Sequence, residues 1–245
     1  MGLNTNTSVL SGPFFRGLKL HSSDHEALSS VRLAERRYAP HTGITHQGMT
    51  DERAFIIQSG WGCVYKDLPD GECQVLDFVL AGDVIGIHPM GGEAQHAFVS
   101  ITELYVIEAN ARAVVAAMTR SQPMAQALLS IAWRQNNIMA EHLVNLGRRS
   151  ALARTAHLLL ELGERLKVAG QADNQGYDCP LTQYDLADAL GLTAIHINRM
   201  LRELREYGLL SLRRNRVEFL DYAGLVELAQ FDGKYLEYWE LKDLG

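Results

Sequence analysis

Hydrophobic and polar positions follow two rhythms along the chain. Between about Val31 and Glu108, short apolar runs (AFIIQSG, WGCVYKD, CQVLDFVLAGD, DVIGI, AFVSIT, ELYVIEA) are separated by Gly60, Asp70-Gly71 and Gly82-Asp83 at strand-plus-turn intervals. That texture predicts a β-roll. Within it, Leu68-Pro69-Asp70-Gly71 marks a hairpin, because proline presets a negative φ and glycine accepts a positive one. After Asn110 the rhythm changes: Ala, Leu, Met, Gln and Arg dominate, and no glycine occurs between Gly92 and Gly147. Leu129, Ala132, Met139, Leu143 and Leu146 recur at heptad spacing, with Asn136 in the same register. The stripe predicts a long helix that either pairs with a second copy or packs on the chain's own roll. In a pairing seam, a single asparagine fixes register and a two-stranded state. A second helix is expected from near Arg148 to about Gly170, and AGQADNQGYDCP after it reads as a polar loop ending at Pro180.

The stretch LTQYDLADALGLTAIHINRMLREL, residues 181–204, carries two short helical patterns around one glycine. Thr182 with Asp185 three residues on forms a capping-box pattern, and Leu186, Ala187 and Leu190 give the first helix an apolar face. Gly191 stops that helix, and Thr193 caps the next, whose inward face is Ile197, Met200, Leu201 and Leu204. A step of about 100° per residue puts Ile195, Arg199, Arg202 and Glu206 opposite, with His196 and Asn198 on the flanks. Helix, tight turn and helix is the arrangement that places a second helix in the DNA major groove. GLLSLRRNRVEFLD then predicts two short strands around a basic turn, a wing whose Arg213, Arg214 and Arg216 are expected beside backbone phosphates.

Charge supports this placement. The net charge is −6, yet residues 148–216 carry 11 Lys and Arg against 8 Asp and Glu, whereas residues 217–245 carry 2 against 7. The basic segment is therefore the one holding the helix pair, and the acidic end is expected to pack Phe231, Tyr235 and Trp239 on protein instead of DNA. Cys63, Cys73 and Cys179 are few, odd in number and widely spaced, which argues against a disulfide framework or a metal knuckle. No apolar run approaches the roughly 18 residues of a membrane span, and the first thirty residues lack a signal peptide's pattern, so a cytoplasmic protein is expected.

Taken together, the order of β-roll, pairing helix and winged helix-turn-helix resembles the Crp/Fnr family of bacterial transcription regulators over roughly residues 30–222. The pieces that carry the resemblance are SGWGCVYKDLPDGECQVLDFVLAGDVIG, LGRRSALARTAHLLLEL and LTQYDLADALGLTAIHINRMLRELREYGLL. The resemblance implies an α+β fold: a double-stranded, jelly-roll-like β-roll resembling a cyclic-nucleotide-binding domain (1–120), a dimerisation helix (121–147), a winged helix-turn-helix (148–222) and a C-terminal extension (223–245). It also implies a homodimer reading a palindromic DNA site and touching RNA polymerase. The DNA-binding candidates are Thr182, Thr193, Ile195, His196, Asn198, Arg199, Arg202, Arg213, Arg214 and Arg216. Arg199 is expected on a guanine, and Ile195 stands where the family usually has a glutamate, which changes the expected half-site.

The effector is where the sequence departs most from the family. Members that bind cyclic AMP hold the ribose with a glutamate and the phosphate with an arginine. Here Ile87 stands near the first and His96 near the second, with His88 beside them, and neither side chain replaces a carboxylate or a bidentate clamp. Cyclic AMP is not expected, and this candidate pocket takes another ligand or has lost binding. An iron–sulfur cluster of the family's N-terminal kind is excluded because residues 1–62 contain no cysteine. Haem is disfavoured although His21, His25, His41, His46, His88 and His96 lie in the roll half. No catalytic residue, metal or cofactor is expected. The rival readings are a small-molecule-binding roll acting through protein contacts and a cupin-like metal enzyme, which lacks its H-x-H pair here.

Overall fold

A computed structural model describes Ala27, residues 30–87 and residues 92–237; His21, His25, His88 and Trp239 lie outside the described residues. Eight strands come first: β1 Ala34–Tyr38, β2 Gly43–Thr45, β3 Arg53–Ser59, β4 Gly62–Asp67, β5 Cys73–Val79, β6 Val84–Ile85, β7 Ala97–Ser100 and β8 Leu104–Asn110. They form two four-stranded sheets, ordered β1-β8-β3-β6 and β2-β7-β4-β5. β8 runs antiparallel to both β1 and β3, with Ala34 opposite Glu108 and Arg53 opposite Asn110. Ile44, Phe55, Ile57, Val79, Phe98, Leu104 and Val106 form one buried cluster at the core of the roll. At the predicted hairpin Gly71 adopts φ +89° and its N–H donates to the Leu68 carbonyl at 3.1 Å. The DVIGI run yields only the two-residue β6: before it the buried Asp83 accepts from the Leu80 N–H at 2.8 Å in a turn, and after it Gly86 takes φ +77°.

The helices are α1 Ala111–Met118, α2 Gln122–Arg148, α3 Ala151–Val168, α4 Gln183–Leu190, α5 Ala194–Glu206 and α6 Tyr222–Ala229. Asn110 caps α1 through the Ala113 N–H, and α2 opens with Pro123 in its first turn, where a missing N–H costs nothing. The helix expected from Arg148 begins instead at Ala151: Arg148 completes α2, and Ser150, at φ −62° and ψ 159°, caps α3 through the Ala153 N–H. The stretch read as a polar loop contains β9, Gly176–Asp178, which pairs antiparallel with β11, Arg216–Phe219; β11 also pairs with β10, Leu210–Arg213. Three residues, a glycine, a tyrosine and an aspartate, are too few to show a period of two. What holds β9 is tertiary: Tyr177 is buried and its hydroxyl donates to the Leu159 carbonyl at 2.8 Å.

The chain divides into two compact units, one containing Phe78–Trp133 and the residues up to Val64, the other Tyr65–Asp77 with Arg134–Glu237. Among the described residues no helix is long and apolar enough to cross a membrane, and Cys63, Cys73 and Cys179 are in no disulfide.

Candidate nucleic-acid interface

Local sequence fixes the helix pair. At the start of α4 the Thr182 hydroxyl accepts from the Asp185 N–H at 3.2 Å while the Asp185 carboxylate accepts from the Thr182 N–H at 2.7 Å, the reciprocal capping box. Leu186, Ala187 and Leu190 are buried, and Gly191 takes the left-handed φ of +58° that ends the helix. Thr193 then caps α5 by accepting from the His196 N–H at 3.2 Å. Ile197, Met200, Leu201 and Leu204 are buried, as the 3-4 spacing requires.

The opposite face of α5 is presented to solvent. Ile195 is 84% exposed, and Asn198, Arg199 and Arg202 are exposed while His196 is half-buried. The Arg199 guanidinium donates to His196 Nε2 at 2.8 Å, and the Asn198 amide donates to Gln183 at 3.4 Å, so both side chains are tethered on the helix pair. Gln183 was not singled out by its position in the sequence; it is found only once α4 crosses α5. In the wing, Arg214 and Asn215 take φ of +51° and +58°, the two-residue turn whose twist suits a hairpin. Arg213 and Arg214 are exposed, whereas Arg216 is half-buried with its guanidinium 3.2 Å from Asp178.

The stripe on α2 faces outward. Leu129 is 69% exposed and Leu143 70%, and Ala132, Asn136, Met139 and Leu146 are exposed as well. The helix packs on its own chain through other positions, Met124, Leu128, Ile131 and Ile138, all buried. Trp133 and Val144 add to the outward stripe, and neither was read from the sequence; Trp133 follows Leu129 by one helical turn, which is the available signal.

Of the candidate effector residues, Ile87 is half-buried and packs with Val84, Leu128 and Ile131, while His96 is exposed just before β7 and His88 lies outside the described residues. An isoleucine held in an apolar cluster and an exposed imidazole do not fit the ribose and cyclic phosphate of a cyclic nucleotide.

Where α2 meets α3, Asn145, His157, Glu161 and Arg165 are buried, and His142 and Asp77 are half-buried beside them. His142 Nδ1 lies 3.0 Å from the Leu76 carbonyl and Nε2 lies 3.0 Å from Glu161 Oε1. Arg165 Nη1 lies 2.7 Å from Asp77 and 3.3 Å from Glu161, and the Tyr235 hydroxyl donates to Glu161 at 2.8 Å. Burial alone would lower the His142 pKa, but the Glu161 charge and hydrogen bond outweigh it and raise it to about 9. Glu161, whose burial would raise it, is held down at about 2 by His142 and Arg165. Beside this group, Asn145 bonds His157 Nδ1 at 3.1 Å, and burial followed by the Arg149 charge pushes His157 down to about 4, so it is neutral.

The comparisons with known proteins agree with this geometry. Residues 153–228 match the model of the Crp-like helix-turn-helix domain, and residues 35–121 match the cyclic nucleotide-binding domain. The nitrogen fixation regulation protein FixK of Bradyrhizobium diazoefficiens is 30% identical over 82% of this chain and 88% of its own length. FixK of Rhizobium meliloti is 29% identical over 77% of this chain and 83% of its own length. The structure of FixK2 from Bradyrhizobium japonicum superposes with a TM-score of 0.73 at 25% identity, covering 80% of this chain and 97% of that one.

Proposed function

Because the chain belongs to the Crp/Fnr family of DNA-binding transcriptional regulators, we propose that it acts as a homodimer on a two-fold symmetric promoter site, in the cytoplasm and in contact with RNA polymerase. It is a regulator and not an enzyme. The observation that carries the reading is the outward face of α5, where Ile195, Asn198, Arg199 and Arg202 stand exposed on a helix fixed by two caps and a buried opposite face. Arg199 reads a guanine through its N7 and O6 acceptors, Ile195 lies against a thymine methyl, and Arg213 and Arg214 meet phosphates. His196, Asn198, Arg202, Thr182 and Thr193 complete the contact set. The exposed stripe Leu129, Ala132, Asn136, Met139, Leu143 and Leu146 pairs two copies.

The β-roll takes a ligand other than cyclic AMP or needs none. With Ile87 engaged in apolar packing and His96 on the surface, the positions that resemble the family's nucleotide site hold no ribose or phosphate partner. Any signal then acts by shifting the relative population of two arrangements of the recognition helices.

Replacing Arg199 with alanine tests the assignment. Specific binding is expected to weaken by about 1–3 kcal/mol with discrimination relaxed at one base position. Competition titrations against every base at each half-site position measure this, and an unchanged base preference would remove Arg199 from the reading set.

A further inference from the structure

Four segments of the second unit meet around the buried Glu161 and Arg165. β5 supplies the Leu76 carbonyl and Asp77, α2 supplies His142, α3 supplies Glu161 and Arg165, and the C-terminal extension supplies Tyr235 from the 3₁₀ turn Gly233–Leu236. Both nitrogens of His142 face acceptors, so the ring satisfies both only by carrying both protons. The cluster then holds two carboxylates against one guanidinium and one imidazolium, the neutrality that buried charge demands. Asp77, His142 and Glu161 offer ligand atoms within 4.8 Å of one another, a donor set that suits a divalent cation. Arg165 already provides the positive charge between the two carboxylates, which favours a lock over a metal centre.

The extension grips both sides of the α2–α3 joint. On the α2 side, Arg134 Nε donates to the Leu236 carbonyl at 2.9 Å; on the α3 side, the Tyr235 ring stacks on His157 at 6.0 Å and Phe231 meets it edge-on at 5.1 Å. At the joint itself Arg149 is tied to Glu141 and Asn145, each at 2.9 Å. Apolar surfaces tolerate sliding, whereas buried charged hydrogen bonds are directional and leave charge uncompensated when displaced. We infer that the C-terminal extension is a strap that sets the angle at which α3, and with it the recognition helix, leaves α2, with Tyr235 and His142 as positioning residues. This inference rests on the proposed dimeric reading of DNA, because the angle matters only where two recognition helices must reach two half-sites together.

The test uses the full chain, its selected palindrome, the same palindrome with one base pair added or removed between half-sites, and a random duplex. The wild type is expected to prefer one spacing sharply. Tyr235→Phe, which removes only the hydroxyl, and a chain ending at Gln230 are each expected to bind the three spacings more evenly and to lose about ten-fold in affinity for the preferred one. Binding to random DNA and the sedimentation of the dimer are expected to stay unchanged. A Tyr235→Phe protein that keeps both affinity and spacing preference overturns the strap, and so does the wild type's sharp spacing preference restored to either variant by added zinc, which would make the cluster a metal site. A wild type that does not distinguish the palindrome from random DNA overturns the transcription reading itself, and this shows in the wild-type arm alone.

Discussion

Replacing Glu161 with alanine is expected to lower the unfolding free energy by about 3–5 kcal/mol, since it leaves the His142 and Arg165 charges buried with one carboxylate fewer. Glu161 is fully buried and touches His142, Arg165 and Tyr235, so no water stands ready to replace the lost oxygens. The same cluster dictates how stability depends on pH. Folding raises His142 from 6.5 to about 9, so its contribution is complete below about pH 6.5 and is lost as pH rises through 9. Glu161 is lowered from 4.5 to about 2, so its contribution is present above about pH 4.5 and is lost as pH falls through 2. His157 runs the other way from His142: it is lowered from 6.5 to about 4, so the unfolded chain takes up a proton that the folded chain refuses, and stability falls as pH drops from 6.5 to 4. A stability maximum near pH 6.5 follows, read from urea midpoints across this range. His142→Gln should flatten the alkaline limb and leave the acid limb in place; an alkaline limb equally steep in that variant would show that His142 is not its source.

Introducing glutamates for both Leu129 and Leu143 is expected to dissociate the proposed dimer. These leucines are 69% and 70% exposed in the single chain, so the substitutions leave its own core untouched. Burying each leucine in a paired seam is worth about 1.5–3 kcal/mol, and four leucines per dimer are replaced by like charges, so the dimer dissociation constant should rise by at least about a thousand-fold. Sedimentation measures it. Thermal melting of the dilute protein should change little, and specific DNA affinity should fall to that of a single half-site. A variant that remains dimeric would move the interface to a different face of α2.

Which parts of this were legible in the sequence follows from the range of the forces involved. The helix pair was readable almost residue by residue, because Thr182, Asp185, Gly191 and Thr193 act on their immediate neighbours and leave a fixed spacing. The α2 stripe was readable as a stripe, but not whether the chain's own core covered it; that needed Leu128, Ile131 and Ile138 to be seen facing the core while Leu129 and Leu143 stay exposed. β9 was missed because its place is set by pairing with β11 and by the Tyr177 hydroxyl, neither of which leaves a local pattern. The buried cluster was invisible for the same reason: Asp77 and Tyr235 reach α3 from positions 88 and 74 residues away, and only the Glu161–Arg165 spacing of one helical turn hinted at it. The extension was expected to pack its aromatic residues on protein, and Phe231 and Tyr235 do so against His157.

The central claim is that two copies of this chain read a symmetric DNA sequence, and selection of bound duplexes from a random pool by the purified protein tests it most directly. The account predicts enrichment of a palindrome whose half-sites are centred about one helical turn apart, with a guanine that depends on Arg199 in each half. Enrichment of no sequence, or of an asymmetric one bound by a single chain, would contradict it.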